Sequence, residues 1–254
     1  MAAVPGFNPN NPSGGDSEQR RNRAVTDSFE PGSTFKTIVA AAALEEGIVD
    51  KEDLFFCEYG KFSYAGRIIH DTHPHGWLPF SKILQVSSNI GFSKVADKLK
   101  KDRFFKYIEK FGFGQLTGID MPGEAPGLLR RQETWSGIDL ATHAFGQGLS
   151  ATPLQIAMAY AAIANGGRLI APTFVKGQHN EARPVMEPKV ARQVLDMMRT
   201  VTETGGTATR AAILGYHVAG KTGTARKFSA SGGYSRDYVA LFAGVVPGEN
   251  PRFA

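Results

Sequence analysis

The sequence holds a single cysteine, Cys57, so no disulfide can form within the chain and cysteine usage says nothing of its redox compartment. It lacks an apolar run of roughly eighteen residues, and its first twenty residues lack a signal-peptide core. No stretch therefore reads as a spanning helix, and any membrane anchor is expected outside the segment. Internal repeats are missing, which excludes solenoids and arrays. Also missing is a basic stripe with interleaved aromatics. Arg20, Arg21 and Arg23 form the one tight cluster, while Lys98, Lys100, Lys101 and Arg103 read as the solvated end of a helix. A nucleic-acid partner is not expected. What is present is ordinary globular material: 254 residues, 42% hydrophobic and 21% charged, with a formal charge of +5 that would suit an anionic polymer or membrane face.

Residues 1–23 are rich in Pro, Asn, Gly and Ser and read as an extended entry segment. Residues 24–210 read as mainly helical. A helix is expected from Ser33 to Glu46, closed by Gly47, and a hairpin within Phe55–Ile69 broken at Gly60 and Gly66. Helical patterning covers Leu78–Val86, breaks at Ser87–Asn89, continues to about Lys101 and resumes over Asp102–Phe111. Thr117–Gly127 reads as loop. Thr152 caps a helix with Pro153 at its first position and Gln155 completing a capping box. That helix runs to about Ala164, and another spans Pro188–Glu203. Over residues 211–254 the period changes to alternation, with strands expected at Tyr216–Phe228 and Asp237–Val246. The fold class is α+β, a helical part packed on an antiparallel sheet. Two strands make a marginal sheet, so the chain reads as an internal fragment of a longer protein.

Three short motifs carry the chemistry. In Pro31-Gly32-Ser33-Thr34-Phe35-Lys36 the hydroxyl and the lysine are three residues apart, on one face of a helix. A serine hydroxyl is a poor nucleophile until a base takes its proton. Lysine serves as that base only where burial or a cationic neighbour lowers its pKa. In Ser87-Ser88-Asn89, between two helical segments, the Ser87 hydroxyl can relay a proton and the Asn89 amide can hold a peptide backbone. In Lys221-Thr222-Gly223-Thr224, strand alternation sets the Thr222 and Thr224 hydroxyls on one face, suited to a carboxylate, and Lys221 on the other. Lys221 would place positive charge near Ser87 and Lys36. Gly220 and Gly223 remove side chains where a substrate backbone would lie against the strand. The N–H groups of Ser33 and Thr224 are candidates for an oxyanion hole. Arg226 fits carboxylate recognition and a surface ion pair equally well.

Each motif alone is weak. Their order, and their contexts of helix start, interhelical loop and strand, form the signature shared by penicillin-binding proteins and class A β-lactamases. The chain resembles class B penicillin-binding proteins over nearly its whole length, and within them the division-specific septal transpeptidases. The likeness rests on Phe7-Asn8-Pro9-Asn10, on Arg21 to Asp27, on Phe29-Glu30-Pro31-Gly32-Ser33 and on Ser87-Ser88-Asn89-Ile90-Gly91. It extends through Phe111-Gly112-Phe113-Gly114, Thr117-Gly118, Gly146-Gln147-Gly148, Thr152 to Gln155 and Gly220 to Ala225. Asn89, where elongation-type relatives more often carry Asp, favours the division type.

The resemblance implies the penicillin-binding-protein/β-lactamase-like fold, with a five-stranded antiparallel sheet of which this chain holds only part. It implies an upstream anchor in the bacterial inner membrane, the enzyme in the periplasm, and a glycosyltransferase and other divisome membrane proteins as partners. The substrate implied is a peptidoglycan stem peptide ending in D-Ala-D-Ala, acylating Ser33 before an amine acceptor attacks. β-Lactams would acylate the same serine. Gln147 departs from the family, which often places Tyr there. The acyl-enzyme leaves other outcomes open: hydrolysis, as in a D,D-carboxypeptidase or β-lactamase, or no turnover, as in a penicillin sensor. No E-x-x-L-N pattern, which in class A β-lactamases carries the deacylating glutamate, lies between the second and third motifs. His70, Asp71, His73 and His75 cluster closely, but in a turn-rich linker around Pro74 and Gly76, and the serine chemistry needs no metal and no cofactor. Trp77 and Trp135 read as packing residues, and Glu124 and Glu133 have no recognisable acid–base partner.

Overall fold

The computed structural model describes residue 4, residues 6–228 and residues 233–254. Its helices are α1 (Ser17–Arg20), α2 (Arg23–Thr26), α3 (Lys36–Glu45), α4 (Phe80–Val86), α5 (Asn89–Leu99), α6 (Lys101–Lys110), α7 (Asp139–Ala144), α8 (Pro153–Ala164) and α9 (Pro188–Thr200). The strands are β1 (Leu54–Phe56), β2 (Lys61–Tyr64), β3 (Arg67–His70), β4 (Trp77–Pro79), β5 (Arg168–Ile170), β6 (Ala182–Pro184), β7 (Ala219–Phe228) and β8 (Tyr234–Val245). Among the described residues no helix is long and apolar enough to cross a membrane.

Helix α3 is the hub. Every residue from Lys36 to Leu44 is buried, and α4, α5, α6 and α9 pack around it. A helix enclosed on all sides needs no polar stripe, which is why Ile38, Val39 and the run Ala40–Ala43 face neighbours in every direction. Leading into α3, Phe35 meets Phe113 edge-on at 5.0 Å between ring centroids, and Phe104 at 6.3 Å. Trp135 closes that cluster against Phe104. Trp77 does not join the core; it is 66% exposed and lies against Phe56.

Among the described residues four antiparallel pairs form: β1 with β4, β2 with β3, β5 with β6, and β7 with β8. The last is the long one, with Lys221 opposite Ala243, Thr222 opposite Phe242 and Thr224 opposite Ala240. Helix α9 packs beside β7 and α8 beside β8, so the helical body lies against this ribbon. The five-stranded sheet implied by the resemblance is represented among the described residues by these two strands.

Several boundaries differ from the sequence reading. The stretch Gly32–Phe35 is a 3₁₀ turn, and α-helix begins only at Lys36. The hairpin is Lys61–Tyr64 with Arg67–His70, while Leu54–Phe56 pairs with Trp77–Pro79, a partner too distant for local patterning to suggest. Helices α5 and α6 part at Lys100, whose φ of 69° breaks the run. Helix α7 and the β5–β6 pair were not legible; each is too short for its period to register. Strand β7 starts at Ala219 and β8 at Tyr234. The entry segment holds a 3₁₀ turn, Pro12–Gly14, and an α-helical turn, Ser17–Arg20, opened by an Asp16–Gln19 capping box.

Candidate active site

Ser33 sits on the 3₁₀ turn at the mouth of α3, and the turn is fixed by close backbone packing. Gly32 adopts φ +54°, and a Cβ there would lie 2.9 Å from the Thr224 carbonyl oxygen and 3.3 Å from the Thr224 nitrogen. A Cβ on Gly223 would meet the Pro31 carbonyl oxygen at 2.8 Å. These two glycines let strand β7 lie directly on the serine turn, bringing the backbones of Ser33 and Thr224 to the same cleft. The contact that excludes a side chain at Gly223 is thus with the turn itself. At Gly220 it is with the Phe242 ring, from which a Cβ would stand 2.3 Å.

Lys36 is wholly buried, and its Nζ lies 3.0 Å from Ser33 Oγ, 2.7 Å from the Ser87 carbonyl oxygen, 3.1 Å from Ser87 Oγ and 2.7 Å from Asn89 Oδ1. Burial, then repulsion from Lys221, holds its pKa well below the ordinary lysine value, with Asp71 opposing. The neighbours fit a neutral amine. The two carbonyl oxygens cannot donate, so they take its two hydrogens. The lone pair is left for a hydroxyl proton, from Ser33 or from Ser87. With Lys36 neutral, Lys221 meets no repulsion from it, and burial brings its pKa down to about 7. Lys221 Nζ donates to the Thr222 carbonyl oxygen at 3.2 Å and approaches Thr222 Oγ1 at 3.4 Å. Among the described residues no hydrogen bond joins it to Ser87.

The second motif owes its shape to an unusual residue. Ser87 ends α4 with φ 63° and ψ 39°, a left-handed conformation that costs a non-glycine residue roughly 1 kcal/mol or more. That turn lets Ser88 cap α5 through the Gly91 N–H while the Ser87 hydroxyl points to Lys36. Asp71, at the end of the β2–β3 hairpin, completes the arrangement. Its carboxylate accepts from the Ser88 hydroxyl and the Asn89 N–H, each at 2.5 Å, and from the Ile90 N–H at 3.0 Å. The Asn89 amide donates to the His70 carbonyl oxygen at 2.8 Å. With its oxygen on Lys36, one N–H of Asn89 remains for a substrate.

These groups open on a cleft of about 270 Å³ lined by Ser33, Thr72, His73, Val86, Ser87, Asn89, Phe145, Gln147, Thr207, Thr222, Gly223 and Thr224. Thr207 Oγ1 lies 2.7 Å from Thr222 Oγ1. Sequence reasoning missed Asp71 as a support, Thr207, and Phe145 as a wall; none belongs to a motif, though Asp71 stood in the turn-rich cluster. Of that cluster, Asp71 serves α5 and His73 faces the cleft. Arg226 lies outside the cleft lining, its guanidinium over the Tyr234 ring at 5.8 Å. Glu124 accepts from the N–H and hydroxyl of Thr117, and Glu133 pairs with Arg131.

Comparison with known proteins gives the family. The family model for the penicillin binding protein transpeptidase domain matches residues 1–254. The chain is 40% identical, over its whole length, to the peptidoglycan D,D-transpeptidase FtsI of Escherichia coli K12, of which it covers 43%. It is 39% identical over 99% of its length to the probable peptidoglycan D,D-transpeptidase PenA of Neisseria gonorrhoeae, again covering 43%. The chain thus spans less than half the length of these relatives. In structure it matches the apo transpeptidase domain of penicillin-binding protein 3 from Burkholderia pseudomallei, with a TM-score of 0.87, 38% identity, and coverage of 91% of this chain and 71% of that one. On motif, fold and comparison alike, the chain belongs to the penicillin-binding protein transpeptidase domain family.

Proposed function

We propose that the chain is the catalytic part of a serine-type peptidoglycan D,D-transpeptidase that cross-links stem peptides in septal wall synthesis during cell division. The observation that carries this reading is the buried Lys36 amine 3.0 Å from the Ser33 hydroxyl. Ser33 Oγ attacks the carbonyl carbon of the penultimate D-Ala, and its proton passes to Lys36 Nζ. The oxyanion is met by the N–H groups of Ser33 and Thr224. The C–N bond then breaks. The leaving D-Ala amine takes a proton relayed from Lys36 through the Ser87 hydroxyl, and the peptide remains as an ester on Ser33. An amine of a second stem attacks that ester, giving up its proton by the same route in reverse. Asn89 holds the donor backbone, Thr222 and Thr224 hold its terminal carboxylate with Gly223 between them, and Lys221 supplies positive charge. Arg226 would assist that carboxylate only by leaving the Tyr234 ring.

β-Lactams acylate the same serine in this reading. No metal or cofactor takes part in the chemistry proposed. The resemblance to division-specific class B penicillin-binding proteins extends this reading to a periplasmic site of action at the inner membrane, with a glycosyltransferase and divisome proteins as partners. A fluorescent penicillin tests the nucleophile: the chain should label covalently and Ser33→Ala should not. Persistent labelling of that variant would remove Ser33 from the mechanism. Incubation with a D-Ala-D-Ala stem peptide and an added amine tests the reaction, for which the aminolysis product is expected. Hydrolysis alone would assign the protein to the carboxypeptidase class instead.

A further inference from the structure

Three residues before the nucleophile, Glu30 is 2% exposed and takes no part in the proton path. A carboxylate is costly to bury unless its oxygens are bonded, and here only one of the two is. Oε1 accepts from the Gly148 N–H at 2.8 Å and from the Tyr234 hydroxyl at 2.9 Å. Oε2 has no hydrogen-bond partner among the described residues. Burial raises the Glu30 pKa above the usual carboxylate value despite both bonds. A group this poorly solvated is a weak device for stability, and its contacts point to another use.

One contact reaches a loop that walls the cleft, and the other reaches the β7–β8 ribbon at the Phe228 end, away from its cleft-lining stretch. Gly148 ends the loop whose Phe145 and Gln147 line the cleft. That loop is anchored on α7 by the bonds from the Gly146 N–H to the His143 carbonyl and from the Gln147 N–H to the Thr142 carbonyl. It also grips the serine turn directly: the Gly32 N–H donates to the Gly146 carbonyl oxygen at 3.1 Å, and a Cβ on Gly146 would lie 2.1 Å from the Gly32 carbonyl oxygen. Tyr234 opens β8, the strand paired with the Thr222–Thr224 stretch. Between Glu30 and Ser33 stand only Pro31, with its restricted φ, and Gly32, wedged against Thr224. A displacement of Glu30 therefore passes to Ser33 with little play.

We infer that Glu30 is a positioning residue, its carboxylate a latch that holds the Ser33 turn, the Phe145–Gly148 loop and the β7–β8 ribbon at the spacing acylation requires. This rests on Ser33 being the nucleophile. The latch acts through the placement of Ser33 and the strand, so its loss falls on the acylation step more than on binding. Misplacement by about an ångström can cost up to about a hundredfold in rate.

The test uses saturation kinetics of acylation by a fluorescent penicillin, thermal melting, and amide hydrogen exchange of the Gly148 peptide. Glu30→Ala is expected to lower the limiting acylation rate by about tenfold or more, to move the half-saturating concentration far less, and to speed exchange at Gly148. Glu30→Gln keeps an acceptor oxygen for both donors and should recover most of the rate. An Ala variant that melts lower but acylates at the wild-type limiting rate would overturn the latch, and so would a Gln variant as slow as Ala. If Glu30→Ala fails to fold, Tyr234→Phe decides: a several-fold slower limiting rate at unchanged melting supports the inference, and a wild-type rate refutes it. Should the wild-type chain itself fail to label, the assignment of Ser33 falls. Gly148 exchange then judges the latch separately, with unchanged exchange in Glu30→Gln and Glu30→Ala alike refuting it.

Discussion

Lys36 holds four oxygens within 3.1 Å of its Nζ, and burial together with the nearby charge of Lys221 favours its neutral amine. That lowered pKa sets the direction of the pH dependence. In the proposed mechanism acylation needs Lys36 neutral, so the rate should climb on the acid side as Lys36 gives up its proton. It also draws on the charge of Lys221, whose pKa lies at about 7, so the rate should fall above that pH. The expected profile is a bell whose two limbs belong to the coupled pair. Penicillin acylation rates measured from about pH 5 to about pH 9 check it. A rate that stays level above neutrality would show that the Lys221 charge is dispensable.

The reactive side chains stand on three elements whose ends are locked by groups outside every motif. Asp71 is the clearest case. Its three accepted bonds satisfy the Asn89 and Ile90 N–H groups at the start of α5 and the Ser88 hydroxyl. Asp71→Ala should cost about 2 kcal/mol in urea unfolding, the order of a lost helix cap with charged acceptor bonds, and should slow acylation by loosening Asn89. Asp71→Asn, which retains an acceptor, should cost less. An Ala variant of native stability would mean that water replaces the carboxylate at no cost. Local signals served the elements unevenly. The Thr152–Gln155 capping box was readable because all its parts lie within four residues, and the structure has both of its bonds. The Asp71 cap was not, because its parts come from two elements that meet only in the folded chain.

At the level of the whole molecule, the buried body carries titratable groups that make no catalytic contact. His143 is fully buried on α7, its ring tilted against Trp135 at 4.3 Å between centroids, and among the described residues neither ring nitrogen has a hydrogen-bond partner. Burial lowers its pKa to about 4. The unfolded chain binds that proton near pH 6.5 and the folded one does not, so stability is full above about 6.5 and declines as pH falls toward about 4. The loss from this residue should approach about 3 kcal/mol. Thermal or urea unfolding at a series of pH values should show that decline in the native chain and a flatter curve in His143→Phe. Equal slopes would mean that the imidazole finds a partner for its proton.

The sequence by itself determined the chemical inventory and its local settings: Ser33 and Lys36 on one helical face, Ser87 and Asn89 at an interhelical break, and Lys221 to Thr224 on a strand. Those follow from spacing, because helices and strands repeat over a few residues and side-chain direction follows the repeat. Only the tertiary structure decided that Lys36 also touches Ser87, that Gly32 and Gly223 press the serine turn onto β7, and that Asp71 and Glu30 tie distant elements together. Such contacts join residues tens to hundreds of positions apart, and the free energy that forms them comes from burying the core around α3, a sum over many side chains that no short window of sequence contains.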